Sequence, residues 1–110
     1  MATPEGRIKT KIKKLLKTHE EAGLYYEMPV PSGYGKSGLD FYGCFCGRFF
    51  AIEAKAPSKS PTALQEMTLE RIRRAGGVTF VIDGDAGLRQ LFLWLTVASV
   101  MKTETRMLFS

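Results

Sequence analysis

Asp40, Glu53 and Lys55 bring two carboxylates and an ammonium group into one short part of the chain. Whether they meet depends on the residues between them. If Cys46-Gly47 forms a two-residue turn, the flanking segments pair as a hairpin, with Phe45 opposite Arg48 and Asp40 opposite Glu53. Directly opposed residues share a face of the sheet, and Lys55, two residues beyond Glu53, shares it too. A bulge at Gly47 would move the pairing by one residue and separate the acids. Two adjacent carboxylates repel, and a cation is the common remedy. Oxygen-only donors with open positions suit Mg²⁺ or Mn²⁺. Such an ion lowers the pKa of a bound water and stabilises negative charge building on a phosphoryl group. Lys55 would then orient or deprotonate the attacking water, or steady the developing charge, and the carbonyl of Ala54 is a further oxygen donor. The competing expectation is a Glu53–Lys55 pair on a solvated face, because an Asp-x12-Glu-x-Lys spacing is loose. Against it, Phe49, Phe50, Ala51, Ile52 and Ala54 make this strand apolar on both sides, so charges at its end need a reason.

Other residues could extend the site. Gln65 shares a helical stripe with Leu69 and Ile72 and so faces the sheet, although a glutamine bordering such a stripe is also an ordinary surface residue. Glu5 precedes Ile8 and Ile12 on the apolar side of the first helix; a carboxylate there is often only a partner of the helix dipole. Arg7, Lys9, Lys13, Lys14 and Lys17 lie mainly away from the apolar stripe, as a solvated face or as phosphate contacts. Lys59 follows the third strand in a loop. The segment Gly33-Tyr-Gly-Lys-Ser-Gly38 contains G-x-G-x-x-G, but a nucleotide loop opens a helix, and this one leads into strand-like Leu-Asp-Phe-Tyr. A Walker loop would also need glycine where Val30 stands. The segment reads as a flexible connection whose Lys36 and Tyr34 could touch a phosphate or a base. Cys44 and Cys46, with one histidine in the chain (His19), do not make a four-ligand zinc site and read as buried or half-buried reduced thiols in a strand.

The elements that must position these groups follow from periodicity and punctuation. Thr3-Pro4 caps and opens a helix through Ile8, Ile12, Leu15 and Leu16 that Gly23 stops. A short strand spans 24–28, ended by Pro29 and Pro31. Strands follow over 39–45 and 48–55. Ser60-Pro61 opens a second helix to about Ala75. The apolar run 78–82 suits a central strand buried on both sides. A last helix runs from 86 to about 98, and the tail 100–110 is ambiguous. The order is α-β-β-β-α-β-α. Short connections make the first three strands antiparallel, and the helical crossover makes the third and fourth parallel. The expected fold is α/β: a mixed four-stranded sheet flanked by helices.

At 110 residues, the sequence reads as one domain, 1–110. No apolar run is long enough to span a membrane, and the N-terminal residues lack a signal-peptide core, so a cytoplasmic location is expected. The net charge of +5 favours polyanions, and basic residues crowd the first helix.

Glu5, "SGLDFYG" at 37–43, "FFAIEAK" at 49–55, Gln65 and "RAGG" at 74–77 together resemble the VRR-NUC domain of the PD-(D/E)xK nuclease superfamily. The resemblance covers roughly residues 4–83. It departs at the name-giving Val-Arg-Arg, since Ile72 precedes Arg73-Arg74. It implies a restriction-endonuclease-like αβββαβ core and a divalent-metal-dependent DNA endonuclease. Asp40 and Glu53 would be metal ligands, Lys55 the catalytic lysine, Glu5 an additional acid reaching metal directly or through water, and Gln65 a supporting residue. Lys9, Lys13, Lys36 and Lys59 would contact DNA. Small stand-alone members occur in phages and bacteria and look like four-way (Holliday) junction resolvases acting as homodimers, so the implied location is the cytoplasm of a bacterium or phage-infected host. The alternatives are a basic module that grips nucleic acid without cutting it, and a nuclease subunit that needs a partner. A pure phosphate-binding surface would not gather Asp40, Glu53 and Glu5, which repel the ligand unless metal intervenes.

Overall fold

The computed structural model describes residues 2–30 and 38–109, with side chains to Lys102. The elements run α1 (Pro4–Lys17), β1 (Tyr25–Glu27), β2 (Phe41–Phe45), β3 (Arg48–Ala54), α2 (Ala63–Arg74), β4 (Val78–Ile82) and α3 (Asp85–Phe109). Among the described residues they make an α/β fold of three helices on one mixed four-stranded sheet, in the order β1-β2-β3-β4. β1, β2 and β3 are antiparallel, and β3 and β4 are parallel.

The hairpin that decides the site forms without a bulge. Cys46 and Gly47 both take positive φ, at 53° and 79°, as a two-residue primed turn requires. Phe45 pairs with Arg48 and Phe41 with Ile52. The ladder continues one step further, since Asp40 N–H donates to the Ile52 carbonyl at 3.1 Å.

The sheet has two unlike faces. On one, Ile8, Ile12 and Leu16 of α1 and Leu91 and Leu95 of α3 pack with Phe41, Phe45, Phe50, Ile52, Phe80 and Ile82. Trp94 anchors α3 there, meeting Phe50 and Phe80 edge-on at 5.7 Å. The opposite face carries a smaller cluster in which Leu69 of α2 covers Leu39 and Ala51. β3 lies between and is buried along most of its length.

Several expected boundaries shift. α1 starts on the Thr3 cap but ends at Lys17; a run of turns bridges to Gly23, which holds φ 98°. α2 starts two residues later than expected, because Thr62 rather than Ser60 caps it. The Thr62 hydroxyl accepts from Gln65 N–H while the Gln65 side chain accepts from Thr62 N–H, a capping box. β4 is an edge strand rather than a central one, with Val81 exposed. Its apolar run reflects parallel pairing along one side of β3. α3 continues through the ambiguous tail, since Met, Lys, Glu, Arg and Leu favour helix and no Gly or Pro intervenes. Cys44 is exposed rather than buried, and Cys46 sits in the turn. No helix of the described residues is long and apolar enough to cross a membrane.

Candidate active site

Asp40 and Glu53 stand at the ends of β2 and β3, where the ladder runs out. Glu53 is only 3% exposed, an unusual state for a carboxylate. Its Oε2 accepts from Gln65 Nε2 at 2.9 Å and lies 3.1 Å from the Lys55 ammonium. Its Oε1 is buried with no hydrogen-bond partner among the described residues. An orphaned anionic oxygen costs free energy unless a proton or a cation reaches it. Burial first, and then the charge of Asp40, push the Glu53 pKa up to about 6, with Lys55 pulling the other way.

Asp40 is fixed from two sides. Its Oδ2 accepts the Ala54 N–H at 2.8 Å, where a backbone acceptor would otherwise stand. Its Oδ1 lies 3.2 Å from the Lys9 ammonium, which also lies 3.4 Å from Glu5 Oε2. Partial burial works against the Lys9 charge, but Asp40 and then Glu5 outweigh it and raise its pKa.

The structure thus gathers Asp40, Glu53, Lys55 and Gln65. Gln65 is buried and uses both ends of its amide, one on the Thr62 cap and one on Glu53. Among the described residues Glu5 joins through Lys9, and it is 41% exposed, not turned fully inward. Among the described residues no three His, Cys, Asp or Glu side chains are gathered closely enough to hold a metal ion.

Of the candidate DNA contacts, Lys9 is held in these ion pairs, while Lys13 is half-buried and Lys59 exposed in the loop after β3. Lys36 lies outside the described residues. Lys11, Lys13, Lys14 and Lys17 make no ion pair among the described residues. A groove of about 500 Å³ between α1 and α3 is lined by Lys11, Lys14, Leu15, Thr18, Leu88, Arg89 and Phe92, and by none of the site residues.

Sequence reasoning missed two members. Lys9 reads from the sequence as part of a solvated face or as a phosphate contact, although it lies one turn beyond Glu5 and so on the same helix face. Thr62 holds Gln65 in place, and the Thr-x-x-Gln spacing is itself a capping signal.

The donors suit a hard divalent ion. The set is all oxygen, one carboxylate oxygen is buried without a partner, and the Ala54 N–H points to Asp40, so the carbonyl of the same strand residue is turned toward that side. No protein-family model, no curated protein and no solved structure matches this chain.

Proposed function

We propose that the protein is a divalent-metal-dependent endonuclease that hydrolyses DNA phosphodiester bonds. We read its sheet and helices as a restriction-endonuclease-like core of the VRR-NUC type, and branched DNA, in particular the four-way junction, as its substrate. The observation that carries the proposal is Glu53: a buried carboxylate beside a second one, with one oxygen lacking any donor and the other held by a lysine and a glutamine.

Asp40, Glu53 and the Ala54 carbonyl would hold Mg²⁺ or Mn²⁺, with Glu5 in reach through water. When bound, the ion would make water a better nucleophile and offset charge on the phosphoryl group. Gln65 fixes Glu53 Oε2 and so sets the direction of Oε1. Lys55 adds positive charge next to Glu53, where it steadies negative charge developing on a phosphate or orients the attacking water. The free lysines of α1 and Lys59 supply attraction for the DNA backbone, which carries no base information and suits recognition by shape.

The test is cleavage of labelled four-way junction, flap and linear duplex with Mg²⁺, Mn²⁺ or chelator. Metal-dependent, symmetric junction cutting is expected from the wild type, and none from Glu53→Gln or Asp40→Asn, both folded. Full cleavage by either variant overturns the site. Cutting of every substrate makes it a general nuclease, and tight binding without cutting makes it a binding module or a subunit lacking its partner. Lys55→Ala is expected to lower kcat by roughly a hundredfold with DNA affinity little changed; a loss confined to affinity would reassign Lys55 to phosphate binding.

A further inference from the structure

We infer that Lys9 is an internal counter-cation that holds the Asp40 carboxylate while the site is empty and must yield when a divalent ion binds. The inference rests on the metal-dependent reading above and adds a residue that sets metal affinity.

The geometry leaves little choice at Asp40. Oδ2 is committed to the Ala54 N–H at 2.8 Å. Oδ1 is therefore the more open oxygen for a metal, and the Lys9 ammonium lies 3.2 Å from it. An ammonium and a divalent cation at one oxygen repel, so the ion pair and metal ligation compete. Glu5 gives Lys9 a second anchor, at 3.4 Å and one turn earlier on α1. The Lys9 side chain is 32% exposed, enough to swing away from Asp40 while staying near Glu5. Displaced there, it would meet the incoming DNA backbone as a phosphate contact.

Charge balance points the same way. With Glu5, Asp40 and Glu53 ionised, Lys9 and Lys55 leave the empty cluster with one net negative charge. Without Lys9 it would carry two. Lys9 thus steadies the empty site and weakens its hold on a cation. Because the ion pair is partly exposed, the effect is moderate.

The experiment measures Mn²⁺ affinity directly, from the free-ion electron paramagnetic resonance signal at low ionic strength and neutral pH. Lys9→Met is expected to bind Mn²⁺ roughly threefold to tenfold more tightly than the wild type. Lys9→Arg, which keeps the charge, should return toward wild-type affinity. Arg48→Met, at the hairpin end of β3, should leave it unchanged. Adding Asp40→Asn to Lys9→Met should remove the gain. If Lys9→Met does not fold, Lys9→Gln takes its place. Wild-type binding that Lys9→Met leaves equal or weaker overturns this inference and spares the metal site. Absence of Mn²⁺ binding at millimolar concentration in both proteins overturns the metal reading and this inference together. Binding by Lys9→Met alone supports both.

Discussion

Glu53 is buried where β3 ends, and its unpartnered Oε1 has a consequence that pH can expose. Its pKa is raised from an ordinary 4.5 to about 6, first by burial and then by Asp40. A proton on Glu53 therefore favours the folded state. This contribution is fully present below about pH 4.5 and is lost as pH rises through about 6. Its size is about 2 kcal/mol. Urea unfolding in chelator should show the wild type losing stability relative to Glu53→Gln between pH 4.5 and 7. A difference that stays flat, or grows the other way, would mean that Glu53 is not buried as an acid. At this scale the sequence was informative because the contacts are local. Asp40 opposite Glu53 follows from one turn, Cys46-Gly47, and Lys55 beside Glu53 follows from strand alternation. Lys9 was not legible as a partner of Asp40, because that contact depends on where α1 lies against the sheet.

At the scale of elements, β1 meets β2 across a glycine that leaves no room. A Cβ on Gly43 would fall on the Tyr25 carbonyl oxygen and lie 2.8 Å from a carbon of the Phe50 ring. Backbone cannot yield as a flexible side chain would. Gly43→Ala should therefore destabilise the protein by about 1–3 kcal/mol, read as a lower denaturation midpoint. An unchanged midpoint would argue against the Tyr26–Gly43 pairing. Helix and strand identities were legible because their periodicities differ, as were the antiparallel and parallel pairings, which follow from connection length. Strand order was not: whether β4 lies inside or at the edge depends on what pairs beyond it, and nothing in Val-Thr-Phe-Val-Ile says so. The start of α2 was misplaced because Ser60-Pro61 and Thr62-x-x-Gln65 both read as openings, and reciprocal side-chain bonding favours the second.

Across the whole molecule, α3 presents Leu93, Val97, Val100 and Met101 to solvent while its other side carries Leu91 and Leu95 into the core. An exposed apolar stripe of this kind suits a partner surface. A dimer formed through it would, on the proposed reading, bring two candidate sites together, one for each strand of a junction. On the proposed reading, sedimentation velocity should find a dimer for the wild type and a monomer for the pair Leu93→Glu and Val97→Glu, with helicity retained. A monomeric wild type would move the second strand's cut to a separate binding event.

The two carboxylates are held from both layers of the domain. Lys9 reaches Asp40 from α1, which packs on one face, and Gln65 reaches Glu53 from α2, which packs on the other. The site is in effect a clasp between the layers. A ligand that binds this assembled cluster, and not the unfolded chain, adds its binding energy to the stability of the entire domain. Melting temperature then becomes a gauge of site occupancy that needs no substrate and no turnover, and it can rank ions or small anions before any nucleic acid is tried.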